Sequence, residues 1–132
     1  MDYYQEIKEE LVNNEINRGV KSYSINKSDL DTYYYVGKML NDAGKHYGEG
    51  IIKNYSIQLM NEVDKKYNTT NLKRMRQFYR MIEKGATLSH YLSWSHYVEL
   101  IILKDITMIN YYIEQIYREH LKIKLKFYKS KL

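Results

Sequence analysis

Not one of the 132 residues is proline, and apolar residues return at three- and four-residue steps along most of the chain. Both features suit α-helices, which need every interior backbone N–H and bury one face. The expected class is all-α: a compact bundle of about six helices forming a single domain over residues 1–132. With 44% hydrophobic residues the chain can build one core, removing roughly two-thirds of the unfolded surface from water.

The spacing predicts a first helix over about residues 2–19, capped by Asp2, with Tyr4, Ile7 and Leu11 on its buried face and a stop near Gly19. A second helix is expected to follow Ser28, which with Asp31 resembles a capping box. It buries Leu30, Tyr33, Tyr34, Gly37 and Leu40, and Gly44 suits its exit. The third runs from Tyr47 or Glu49 to Asp64, burying Ile51, Ile52, Tyr55 and Leu59. After the connector DKKYNT, a fourth begins with Thr69 or Thr70 as cap and ends at Gly85 in the left-handed conformation. A fifth starts at Ser93, and a sixth at Asp105 buries Ile109, Tyr112, Ile113 and Ile116. In the tail, residues 121–132, Lys122, Lys124 and Lys126 alternate with apolar residues as in a strand, while Leu121, Leu125, Tyr128 and Leu132 also share a helical face. A helix is favoured there.

Charge is unevenly distributed. Residues 1–64 carry a net −4 and residues 65–132 a net +9. A one-sided positive field attracts polyanions such as nucleic acid. Much of it is concentrated in NLKRMRQFYRMIEKG, residues 71–85, whose only acid is Glu83. On a helical wheel Leu72, Met75, Phe78, Tyr79 and Ile82 form a core face, whereas Arg80, Lys73, Lys84 and Gln77 fall within about 60° of one another on the opposite side. Ordinary solvated faces mix signs at four-residue spacing to gain ion pairs, and this one does not. Lys73, Arg74, Arg80 and Lys84 are therefore candidate phosphate contacts, with Lys65 and Lys66 adding charge at the helix entrance. Asn71 and Gln77 are candidates to read base edges. The pair of helices around DKKYNT could form a helix-turn-helix, although that connector is longer than the usual three or four residues.

Tyrosine occurs 16 times, including Tyr33, Tyr34 and Tyr35 in succession. Three successive residues cannot share one helical core, so at least one is a candidate interface anchor, as are Lys122, Lys124 and Lys126. Lys, Asn, Ile and Tyr make up 56 of the 132 residues, a bias expected of an AT-rich genome, and most of the tyrosine is ascribed to that bias and to core filling.

The phrases YYYVGKML, YGEGIIKNYS, TNLKRMRQFYRMI and TLSHYLSWSHYVELIILKD together resemble the N-terminal domain of the YhcG-type family. The set comprises Gly37-Lys38, Asn71-Leu72, Met75-Arg76, Phe78-Tyr79 and Ser93-Trp94-Ser95-His96, in this order and spacing. In full-length members this domain of unknown function precedes a nuclease domain of the PD-(D/E)xK type. The resemblance implies an α-helical module that handles DNA beside a nuclease, here as a stand-alone chain without the nuclease domain. The chain departs from the family pattern at Ile109, where an Arg is usual, and in EHLKIKLKF, where the family's later Ser-x-Arg segment is not recognisable.

No catalytic set is legible. Asp64-Lys65-Lys66 has the D-x-K letters of a metal-dependent nuclease but neither the strand nor the preceding acid that the chemistry needs. His96 and Glu99 would supply two metal ligands where a helical site normally requires a second such pair. A structural role is favoured for His96, its ring donating to backbone or a neighbour. Phosphate loops, HExxH and nucleophile elbows are absent, and there is no cysteine. No enzyme activity and no cofactor or metal is expected.

The function expected is a non-catalytic nucleic-acid-binding module, with DNA favoured over RNA. The alternatives are a small phage or mobile-element protein that binds and inhibits a host defence nuclease or another nucleoprotein complex, and a homodimerising scaffold. Lack of cysteine and of any apolar run near 20 residues points to the bacterial cytoplasm and away from membranes.

Overall fold

A computed structural model describes the backbone of residues 2–20 and 25–130, and the side chains of 2–16, 27–119 and 121–122. Six helices occur among the described residues: α1 (Tyr3–Val20), α2 (Ile25–Tyr47), α3 (Gly50–Glu62), α4 (Thr69–Glu83), α5 (Trp94–Ile101) and α6 (Ile106–Ser130). The all-α bundle expected from the periodicity is the observed fold, and the tail is helical as far as Ser130.

α1 starts as its sequence dictates, with the Asp2 carboxylate accepting from the Gln5 N–H at 3.0 Å. Tyr3, Ile7, Leu11 and Asn14 form its buried face, at helical steps of four, four and three. Tyr4, expected in the core, is half-buried and donates its hydroxyl to Glu62. α2 begins at Ile25, ahead of the expected cap. The Ser28 hydroxyl donates instead to the Asn14 side-chain oxygen, and Asn14 Nδ2 donates to Asp29 at 2.9 Å. This buried polar cluster joins α1 to α2. Gly44 lies inside α2, and the helix stops at Gly48, whose φ of 85° suits a residue without Cβ.

α2 is the centre of the bundle, with α1, α3, α4 and α5 all packed on it and α4 its most extensive partner. Leu30, Tyr33, Val36, Leu40 and Ala43 are buried along it. Gly37 lets α4 come close, because a Cβ there would lie 2.1 Å from the Met75 carbonyl oxygen. α3 buries Ile52, Tyr55, Ser56 and Leu59, and Ser56 donates to the Tyr67 carbonyl at 3.0 Å. Tyr67 itself, in the connector, is 1% exposed and its hydroxyl bonds Glu15 at 2.7 Å. The connector is thus anchored in the core rather than arched over it.

α4 is capped by Asn68, whose side chain accepts from the Asn71 N–H, and not by Thr69 or Thr70. It ends at Gly85, left-handed at φ 112° as expected. The loop that follows is held by the buried Tyr97 hydroxyl, which donates to the Thr87 carbonyl and accepts from the Ser89 N–H, both at 2.8 Å. Ser93 caps α5 through its hydroxyl, and His96 completes the capping box. His96 Nδ1 accepts from the Ser93 N–H at 3.1 Å, so the ring is an acceptor here rather than the expected donor. Asp105 caps α6, whose first turns bury Ile109 and Ile113 while Tyr112 is exposed, contrary to expectation.

Candidate nucleic-acid interface

α4 packs against α2, α3 and α5. Leu72, Met75 and Phe78 are buried, Tyr79 and Ile82 half-buried. Met81 is also buried, although the wheel places it outside the apolar face. The residues left outside are the candidates: Lys73, Arg74, Gln77 and Lys84 are exposed, and Arg80 is half-buried. Arg80 Nε donates to Asn41 Oδ1 at 2.9 Å, which holds the guanidinium close to α2 and restricts its rotamers.

Arg76 belongs to a different surface. It is 7% exposed and donates one nitrogen to both oxygens of Glu49, at 2.7 and 2.9 Å. That hydrogen bond holds the Glu49 carboxyl below the ordinary glutamate value, with Coulomb contributions from Arg76, Arg80 and Lys73 in the same direction. Arg76 therefore offsets an acid that lies within the field of the stripe.

At the helix entrance the candidates divide. Lys65 is exposed, but Lys66 is paired with Glu15 and sits 5.4 Å from the Tyr67 ring centroid. Asn71 donates to the Lys66 carbonyl at 2.6 Å and accepts from Arg74 at 3.2 Å. Lys66 and Asn71 thus hold the connector against α4. Asp64, of the D-x-K letters, accepts from the Lys66 N–H at 2.8 Å in a local turn.

Sequence reasoning missed Lys104. It stands between α5 and α6 with φ 63°, a left-handed conformation that a non-glycine residue adopts at a cost. Together with Gln77, Arg80 and Lys84 it lines a pocket of about 290 Å³ whose remaining walls are Met81, Ile101, Ile106 and Ile109. Three cations and an amide from two distant segments meet there, and no acid lines it among the described residues. The unusual φ can be read only from the folded backbone, so no local sequence signal marked this position.

The other candidates are scattered. Tyr33 is buried against Trp94, with ring centroids 4.7 Å apart, which removes it as an interface anchor. Tyr34 is half-buried, packs on Tyr79 and donates to Glu83. That bond pushes its phenol up to about 12, with burial the second cause. Tyr35 is the exposed member of the three, at 53%. Lys122 is exposed beside Glu119 at 3.4 Å, and the side chains of Lys124 and Lys126 lie outside the described residues. No group of three or more His, Cys, Asp or Glu side chains that could hold a metal ion occurs among the described residues. Nor is any helix among them long and apolar enough to cross a membrane.

Comparison with known proteins adds one finding to this geometry. The family model described as DUF1016 N-terminal domain matches residues 6–125. Neither the curated proteins nor the solved structures supply a match.

Proposed function

Starting from a chain that belongs to the DUF1016 N-terminal domain family, we propose that it is a nucleic-acid-binding module without catalysis of its own. Its grip is the outward face of α4 extended by Lys104. The observation that carries this reading is the pocket at the C-terminal end of α4, where Arg80, Lys84 and Lys104 converge beside Gln77. Like charges gathered from separate segments repel one another, and a phosphate placed among them relieves that repulsion while accepting their hydrogen bonds. Lys73 continues the face toward the N-terminus of α4. Lys73 and Lys84 lie eleven residues apart on one helix, about 16 Å along its axis, a span that reaches several phosphates of either a duplex or a single strand.

Fluorescence anisotropy with labelled duplex DNA, single-stranded DNA and RNA over a salt series tests the proposal. If Lys73, Arg80, Lys84 and Lys104 neutralise about four phosphates, log affinity falls against log salt with a slope of about −3 to −4. The triple variant Lys73→Gln, Arg80→Gln, Lys84→Gln should reduce that slope to about −1. Glutamine is preferred to glutamate because Glu49 already lies in the field of Lys73 and Arg80. Salt-independent binding, or metal-dependent cleavage of the probes by the purified protein, overturns the proposal.

A second reading has its own support. Ile102 is 74% exposed, and Met108, Tyr111 and Tyr112 are exposed near it in sequence on α6. Apolar residues left in water favour a protein partner, either a nucleoprotein complex or a second copy of the chain. Light scattering, together with lysate capture before and after nuclease treatment, separates these from a nucleic-acid bridge.

A further inference from the structure

On the other flank of α4 lies a second cleft, of about 670 Å³, within the roughly 300–1,000 Å³ typical of small-ligand sites. Resting on the nucleic-acid reading above, we propose that this cleft takes one unpaired nucleotide of the bound strand, its base stacked on Trp94 and its phosphate held by Arg74. Four observations converge on this. Trp94 lines the cleft and is itself fixed by packing on Tyr33 at 4.7 Å and edge-on against Phe78 at 5.3 Å, so an aromatic surface is presented in a defined orientation. Arg74 lines the same cleft from α4 and is exposed, with its guanidinium held by Asn71 Oδ1 at 3.2 Å.

Acids also line it. Asp29 is buried at one wall, where it already accepts from Asn14, and Glu99, exposed on α5, is the acceptor offered to a base. A site for phosphate alone would be weakened by these carboxylates, whereas a base carries ring and exocyclic N–H donors that a carboxylate accepts. Aromatic wall, cation and acceptor are the three parts that recognition of an unstacked nucleotide requires. The fourth observation is position. Arg74 lines this cleft while Gln77, one helical turn further along α4, lines the cationic pocket. A strand lying along the stripe therefore passes the mouth of the cleft. A base inside an intact duplex cannot enter without leaving its stack, so the preferred ligand has a free end or an unpaired stretch.

Trp94 is the chain's single tryptophan, so its emission reports on the cleft alone. The experiment titrates the full chain with a blunt duplex, the same duplex carrying a single-stranded overhang, and a free nucleoside monophosphate, reading both anisotropy and tryptophan emission. The overhang should quench Trp94 and bind about tenfold more tightly than the blunt duplex, the gain expected of one stacked base. Arg74→Gln, an exposed change that should leave the fold intact, should reduce the quench and that preference. Lys84→Gln should weaken overhang and blunt duplex alike. Equal, salt-dependent affinity for both duplexes with no quench overturns the cleft assignment and leaves the stripe standing. Quenching by the free monophosphate at the overhang's affinity overturns the strand as its source and makes this a small-molecule site. Failure of every nucleic acid to bind at low salt overturns both the cleft and the stripe.

Discussion

Gly37 of α2 faces the Met75 carbonyl of α4 so closely that a Cβ would lie 2.1 Å from its oxygen and 2.8 Å from Tyr79 Cβ. The obstacle is backbone, which cannot rotate away as a side chain can. This contact seats α4 and so sets the direction in which Lys73, Gln77 and Lys84 point. At an unhindered helix position Gly→Ala would stabilise by about 1 kcal/mol. Gly37→Ala should instead destabilise by about 3 kcal/mol as the two helices are forced apart. Urea unfolding measures this, and an unchanged or raised midpoint would refute the close approach.

Arg76 is a structural cation whose carboxylate partner lies at the surface. Its side chain is 9% exposed and that of Glu49 68% exposed, and Arg76 Nε is buried without a partner. Glu49→Ala should cost about 1–3 kcal/mol by leaving the guanidinium unpaired. Arg76→Met, which removes the charge altogether, should cost less. Because Arg76 lowers the Glu49 pKa in the folded state, the stabilisation is fully present above the ordinary value of 4.5 and is lost as pH falls through the depressed one. The stability gap between parent and Glu49→Ala should therefore narrow on acidification below about 4.5, measured by thermal melts across pH.

Lys104 separates stability from binding. Its left-handed backbone is one that glycine adopts without the Cβ clash, so Lys104→Gly should raise stability by about 0.5–1 kcal/mol. The same change should weaken nucleic-acid binding and reduce the salt slope by about 1. A variant that is more stable but binds with unchanged slope would place Lys104 outside the interface.

Tyr97 is one of several tyrosines, with Tyr4, Tyr34 and Tyr67, whose raised phenols bear on the alkaline limit. Burial pushes its hydroxyl up to about 12, above the unfolded value of 10. The unfolded chain thus ionises first, and the contribution of Tyr97 is fully present below pH 10 and is lost as pH rises through its folded value. Tyr97→Phe should cost about 1–3 kcal/mol at neutral pH, because the Thr87 carbonyl and the Ser89 N–H lose their shared partner. It should also flatten the decline in stability above pH 10, as circular dichroism melts would show. A decline as steep as the parent's would assign that limb to the other tyrosines.

Much of this architecture was legible in the chain. Helix type and number follow from periodicity without proline, and Asp2, Ser93, Asp105 and Gly85 mark ends where cap chemistry is local. Gly44 and Ser28 misled for the same reason that the others succeeded. A glycine inside a helix and a serine diverted to a distant asparagine look, in sequence, like a stop and a cap. The wheel separated Lys73, Gln77 and Lys84 from Leu72, Met75 and Phe78 correctly but could not show that Arg76 would be buried and paired with Glu49, 27 residues away.

By itself, then, the sequence determined most of the helical segments, though not the start of α2 or the form of the tail, and which side of α4 is charged, because these depend on residues within a turn or two of each other. Only the tertiary structure decided how much of each helix is covered. Met81 is buried beside Ile101, Ile106 and Ile109 from later segments, and Tyr33 is buried with the tilted ring of Trp94 packed on it. Lys104 lines one pocket with Arg80 and Lys84, and Trp94 shares a cleft with Arg74, only after α5 and the turn beyond it have packed against α4. Those meetings depend on long-range contacts, and a helical period describes only one helix at a time.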